Sequence, residues 1–194
     1  MLEKIIELDH RLFRWVNQDM ANPVFDWFFP IWTDIQKTPV FYFLILPLIF
    51  AVVFWRARLA GVMFILASAT SVAIADFLAS KFIKPWFTRA RPFSTGQGDE
   101  VILRISEVGS SSFPSSHALD AFCLAAFVGC FFPKLAWILF PLAFLTAYSR
   151  VYNGVHFPTD VLGGAVIGSL IGLILAFLFW PLGKKLMQKI KDLR

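Results

Sequence analysis

Charge is scarce in this sequence: only 16% of its 194 residues are Asp, Glu, Lys or Arg, alongside 3 histidines and 2 cysteines. Cys123 and Cys130 fall on one predicted helix, where seven residues of rise place them roughly 10 Å apart. That spacing excludes a disulfide within the helix, so both read as small core residues and carry no information on redox compartment. The N-terminus lacks a charged leader followed by an apolar run and a small-residue cleavage site, so no cleaved signal peptide is expected. The net charge is +5 and the pI about 9.4, yet the basic residues form no nucleic-acid footprint. They gather in the C-terminal tail, at Lys184, Lys185, Lys189, Lys191 and Arg194, and in a few loops.

Apolar residues are abundant, at 58% of the chain with a mean hydropathy of +0.68, and they come in blocks. A bilayer span needs about 20 predominantly apolar residues. Five stretches read as spans: 39–55, 58–83, 115–133, 135–149 and 158–180. The fourth is interrupted by Pro141, and the apolar segment 23–32 is a candidate sixth. Residues 1–22 read as an amphipathic interfacial helix, with Leu2, Ile5, Ile6, Leu8, Leu12, Phe13 and Val16 near helical spacing. His10 on this helix reads as solvated or capping.

The expected fold is therefore all-α: a polytopic transmembrane helical bundle of five to six spans in a single membrane-embedded domain, 1–194. Its core is 39–183, with site loops at 84–117 and 149–160 and a basic tail at 184–194. Arg56, Arg58, Lys134 and the tail share one side of a five-span arrangement, which the positive-inside rule makes cytoplasmic. Trp55, Trp137 and Trp180 mark the same boundary and Trp86 the opposite one. Each basic residue of the tail can also hold an anionic headgroup at about 1 kcal/mol.

Against that trend, Lys84, Arg89, Arg91, Arg104 and Arg150 lie on the outer side, where an anionic ligand is the simplest reason for them. Three segments converge there. In Lys84–Pro92, Pro85 should end the second span and Pro92 holds Arg91 extended, so a cation pair is fixed at the boundary. Interfacial snorkelling is the competing account. In Ser110–His117, small polar residues and a proline open the third span, and helix N-termini favour phosphate. Ser115 and Ser116 add hydroxyls, and His117 sits in the first turn; helix capping is the alternative. In Ser149–Asp160, Pro158 suits the first turn of the fifth span. His156 and Asp160 are four apart, so the carboxylate can fix the ring's tautomer. A helix-start acid is the other reading of Asp160.

Together, Lys-x6-Arg-Pro, Pro-Ser-x-His and Ser-Arg-x5-His-x3-Asp, in this order, resemble the three-part signature of the type 2 phosphatidic acid phosphatase family. Ser116 departs from the glycine many members carry there. The resemblance implies a metal-independent lipid phosphatase without a cofactor. His156 would be the nucleophile that forms a phosphohistidine, oriented by Asp160, and His117 would protonate the leaving group. Lys84, Arg91, Ser115, Ser116 and Arg150 would hold the phosphoryl oxygens, three cations doing what metal ions do elsewhere.

The implied partners are a lipid phosphate and the bilayer, with no nucleic acid; the oligomeric state is not legible. The implied location is the inner (cytoplasmic) membrane, multi-pass, with the site facing the periplasmic or extracellular side. Undecaprenyl pyrophosphate is the first substrate choice, with phosphatidylglycerophosphate, phosphatidic acid and lipid A phosphate as alternatives. Loop 93–113, with Asp99, Glu100, Arg104 and Glu107, is expected to shape headgroup choice.

Two further acids fall within spans. Asp76 is expected to pair with Ser80 or Lys81, and Asp120, one turn after His117, either to tune that histidine or to bond structurally. Gly163, Gly164, Gly168 and Gly172 read as close helix packing. An anion-binding transporter is the reading from another class, but no inverted repeat or paired broken helices support it.

Overall fold

The computed structural model describes residues 2–95, 101–106 and 109–192, and these form an all-α bundle. The helices are α1 (Leu2–Arg14), α2 (Pro23–Thr33), α3 (Leu46–Leu78), α4 (Ser116–Phe131), α5 (Pro133–Tyr152) and α6 (Pro158–Asp192). Three helical stretches are long and apolar enough to cross a membrane: Phe41–Trp86, Pro133–Tyr152 and Pro158–Ile190. Ser116–Phe131 is a shorter apolar helix.

The first of these stretches is two spans. Arg58 has φ 50° and ψ −147°, which breaks the helix. A Cβ built on Gly61 would lie 2.6 Å from Val53 Cγ1. In an unbroken helix, residues eight apart are separated by about 12 Å, so the chain reverses at Arg58. That gives two limbs, as the charges at 56 and 58 implied. The second limb does not stop abruptly at Pro85. It widens into a π turn at Ala79–Ile83 and a 3-10 turn at Lys84–Trp86.

Packing of α4 on α6 forms the centre. Cβ atoms at Gly164, Gly168 and Gly172 would fall 2.5, 2.1 and 2.5 Å from the carbonyl oxygens of Ser115, Leu119 and Cys123. The glycine stripe thus lets two backbones touch. Cys123 is buried and Cys130 half-buried, and both are free thiols. Apolar side chains cover the outside of the bundle, with Phe43, Trp137 and Phe177 each about four-fifths exposed, as a lipid-facing surface requires.

Four expectations are corrected. Pro141 does not interrupt α5, which runs through it; neighbouring helices in a bundle tolerate the one lost hydrogen bond. Segment 23–32 folds as α2, capped by the Asn22 side chain on the Val24 and Phe25 N–H groups. At 11 residues it is too short to span, and its Phe29 and Thr33 pack inward. Helix α6 continues past 180, through Pro181, because Leu186 and Ile190 bury against Ala57 and Ala60 at the base of the α3 limbs. His10 is only half-buried and packs its ring on Phe157 at 4.8 Å, a contact that neither a solvated nor a capping role contains.

Helix α1 is amphipathic with both faces in use. Ile5, Ile6, Leu8 and Leu12 point outward, while Asp9 and Phe13 are buried against the bundle together with Val16 and Asn17 of the following π turn.

Candidate active site

The end of α5 sets the site. Asn153 and Gly154 close that helix with paired bonds, Gly154 N–H to Val151 O (3.0 Å) and Val155 N–H to Arg150 O (3.2 Å). Gly154 is left-handed at φ 81°, and a Cβ there would meet Ile102 O at 2.8 Å. This glycine-terminated cap turns the chain so that His156 enters the bundle, where it is 2% exposed.

Two contacts define the His156 ring. Arg91 Nη1 lies 3.2 Å from Nε2. A guanidinium can only donate, so Nε2 must carry its lone pair and the proton must sit on Nδ1. On that side lie Asp160 Oδ2 at 3.7 Å and Ser112 Oγ at 3.5 Å. The carboxylate is at ion-pair distance, longer than a hydrogen bond, because His156 precedes the first turn of α6 instead of joining it. Burial, with Arg91 and Arg150 nearby, pushes the His156 pKa down to about 4 against the opposing pull of Asp160.

Asp160 serves as the helix-start acid and faces the His156 ring without a hydrogen bond to it. Its Oδ2 accepts from Phe157 N–H (2.8 Å), closing the helix start, and from Ser112 Oγ (2.5 Å), while it faces His156. Its Oδ1 accepts from Arg89 Nη1 at 2.7 Å.

Arg91 is pinned by its own loop. Nε donates to Ser110 O (2.7 Å), Nη1 to Val155 O (2.9 Å) and Nη2 to Ser110 Oγ (3.1 Å). Arg150 Nη1 donates to Thr33 Oγ1 of α2 at 2.7 Å, while its Nε is buried without a partner among the described residues. Ser115 Oγ is equally buried and unpartnered, although Ser115 caps α4 and its N–H bonds Asp160 O. Ser116 is the first residue of α4. Lys84 is half-buried and lies within electrostatic reach of Arg91 and Arg150. With Arg91, Ser110 and Ser111 it lines a cavity of about 530 Å³.

His117 feels the charges of Arg150 and His156, so the two histidines share one site. Its Nε2 turns toward the 34–37 turn, 3.5 Å from Gln36 Nε2 and 4.0 Å from Asp34 Oδ1. Asp34, not Asp120, is therefore its carboxylate neighbour. Asp120 leaves the same helix toward Lys84 and Asp76, with Oδ1 buried and unpartnered among the described residues. Asp76 accepts from Ser80 at 3.4 Å, one of its two expected partners.

Arg104 is tied into the bundle, with its Nη2 buried and unpartnered among the described residues. It donates to Asp26 (2.6 Å) and Tyr152 O (2.6 Å) and lies over the Tyr152 ring. Asp99, Glu100 and Glu107 lie outside the described residues. Among the described residues, no group of three or more His, Cys, Asp or Glu is placed to hold a metal ion.

Sequence reasoning missed Ser112, Asp9, Thr33 and Asp34 as parts of the site, and marked Arg89 as an out-of-place cation without giving it a role. Ser112 stood inside a segment singled out, but nothing in its spacing marked it. Asp9, Thr33 and Asp34 come from the N-terminal 40 residues, which only tertiary folding brings near.

Residues 62–184 match the PAP2 superfamily. The chain is 30% identical to a lipid A 4'-phosphatase of Bacteroides thetaiotaomicron, across 99% of its own length and 84% of that protein. It is 34% identical to a putative undecaprenyl-diphosphatase of Escherichia coli, across 62% of its length and 63% of that protein. It superposes on the crystal structure of a phosphatidylglycerolphosphate phosphatase from Bacillus subtilis with a TM-score of 0.62 at 28% identity, covering 94% of this chain and 87% of that one. The chain therefore belongs to the PAP2 superfamily as a multi-pass membrane lipid phosphatase.

Proposed function

We propose that this phosphatase transfers the phosphoryl group of a lipid phosphate to His156 Nε2 and then to water. The observation that carries the reading is the Arg91 contact, which leaves the lone pair on Nε2 and the proton on the Asp160 side. On substrate binding, Arg91 Nη1 moves its donation from the ring to a phosphoryl oxygen, freeing Nε2 for in-line attack. Arg150 Nε, Ser115 Oγ and Lys84 Nζ take the remaining oxygens, and Ser116 lies beside them. The transition state spreads charge over three equatorial oxygens, so fixed donors and cations in a water-poor site supply most of the stabilisation.

His117 protonates the departing lipid oxygen, with Asp34 Oδ1 4.0 Å from its Nε2. In the second half of the reaction His117 takes a proton from water, which attacks phosphorus and returns Nε2 to its free state. No metal ion has a role in this scheme.

The relative matched across nearly the whole chain acts, by its name, on lipid A, which favours a lipid A phosphate as substrate. Undecaprenyl pyrophosphate, the first choice from sequence, is the second reading, favoured by the 34% identity to a putative undecaprenyl-diphosphatase. We place the protein in the inner membrane with the site on the outer face, on the strength of the basic residues at 56, 58 and 134.

The test is phosphate release by purified protein from lipid A, undecaprenyl pyrophosphate, phosphatidylglycerophosphate and phosphatidic acid, with and without EDTA. Release from at least one lipid, undiminished by EDTA, is expected. Release abolished by EDTA and restored by Mg²⁺ contradicts the metal-free scheme.

A further inference from the structure

Two buried carboxylates, joined by the partly exposed Arg89, run from the N-terminal helix to the site, and none of the roles above uses this link. Asp9 of α1 is 3% exposed. Its carboxylate accepts from Arg89 Nη2 (2.5 Å), Thr159 N–H (2.9 Å) and Thr159 Oγ1 (2.7 Å). Arg89 Nη1 in turn donates to Thr159 Oγ1 (2.6 Å) and to Asp160 Oδ1 (2.7 Å). One guanidinium therefore bridges a carboxylate of α1 and the carboxylate that faces His156. The same guanidinium lies 4.4 Å from the centre of the Phe157 ring, on which His10 also stacks.

Burying a carboxylate is costly unless it is paired and hydrogen-bonded. A helix that only needed anchoring could do so through Phe13 and Val16. Asp9 instead fixes the plane of Arg89, and Arg89 occupies Asp160 Oδ1, leaving Oδ2 for Ser112, Phe157 N–H and the His156 side.

We propose that Arg89, held by Asp9, is a positioning residue: it aims Asp160 at His156 Nδ1 and limits the carboxylate's pull on the ring proton, so that Nε2 stays an unprotonated nucleophile. The inference rests on the phosphatase reading of the site. The charged and titratable groups facing His156 are Asp160 from α6, Arg91 from the loop after α3, Arg150 from α5 and His117 from α4. Arg89 acts on the first of these alone.

The sign follows from charge. Without Arg89, Asp160 is less compensated, the imidazolium becomes easier to form, and the acid limb moves to higher pH. Without Asp9, the Arg89 charge is less compensated and the limb does not rise.

The experiment uses full-length protein in detergent and two readouts. One is the pH dependence of kcat/KM for phosphate release from the lipid that the panel identifies. The other is the NMR titration of the His156 imidazole without substrate. Arg89→Gln should lower kcat by about tenfold or more through loss of alignment, and should raise the acid limb and the NMR midpoint by about one pH unit. Arg89→Lys keeps the charge and should hold the midpoint near that of the unmodified protein. Asp9→Asn should lower kcat without raising the midpoint, and should add nothing on the Arg89→Gln background.

An Arg89→Gln variant that lowers only the melting temperature, leaving midpoint and limb in place, overturns the proposal; so do effects of Asp9→Asn and Arg89→Gln that simply add. If Arg89→Gln does not yield folded protein, Asp9→Asn decides: a lowered kcat with a midpoint that does not rise is expected, and an unchanged kcat or a raised midpoint overturns the proposal. If no lipid phosphate is hydrolysed at all, the phosphatase reading has failed, and the NMR midpoint still decides whether Arg89 governs the His156 proton.

Discussion

At neutral pH the imidazole of His156 is uncharged, because burial and two neighbouring guanidinium groups outweigh the attraction of Asp160. Its pKa near 4 lies below the ordinary value of 6.5, which fixes the direction of the pH effects. The nucleophilic form is lost only as pH falls through about 4, so the acid limb of kcat/KM, which reports the free enzyme, should lie well below pH 6. A limb near 6.5 would mean the ring is solvated. Stability follows the same sign. The unfolded chain binds the proton first, so this residue's contribution is full above about pH 6.5 and fades toward pH 4.

Replacing His156 or His117 by Ala should each lower turnover by at least about 100-fold, measured as phosphate release. A near-normal rate in either variant removes that residue from its role. The residues legible in the sequence were those whose chemistry demands a type at a spacing: two histidines, one acid and the cations. Ser112 was hidden because a serine among serines carries no periodic mark, and Arg89 stood out as a cation while its carboxylate partners did not. Of the two readings of Asp120, tuning of His117 fails because sharing a helix face does not fix where a side chain turns.

Helices are set by simpler rules, and more of them could be read in advance. Blocks of apolar residues located the spans, the arginines at 56 and 58 located the reversal, and Asn153-Gly154 closes α5 with a cap that glycine makes possible. The glycine stripe of α6 is the clearest case. A side chain at position 168 has no space, since its Cβ would lie 2.1 Å from the Leu119 carbonyl oxygen, whereas a Cβ at Gly109 meets nothing within 4 Å. Gly168→Val should therefore destabilise the protein by about 1–3 kcal/mol or more, while Gly109→Ala leaves it nearly unchanged. Thermal unfolding in detergent reads both, and equal melting temperatures would show that α4 and α6 are not in backbone contact. The length of α6 beyond Pro181 was not legible, because it depends on Leu186 and Ile190 meeting Ala57 and Ala60, which are far away in sequence.

On the scale of the whole molecule, the bundle holds cations at a boundary where lipid is the solvent. Helix α2 braces Arg150 through Thr33, α1 reaches Asp160 through Arg89, and α4 presents Ser115 and His117 from its first turn. These long-range supports explain why about 40 residues ahead of the first span pack onto the site, a role that an interfacial helix reading did not contain. The central claim is that His156 bonds to phosphorus. It is tested most directly by mixing the protein with a lipid carrying radiolabelled terminal phosphate, quenching within milliseconds and mapping any label by mass spectrometry. The account predicts an alkali-stable, acid-labile phosphoryl group on His156 that is absent from His156→Ala. Label on another residue, or no labelled protein under conditions of rapid turnover, would contradict it.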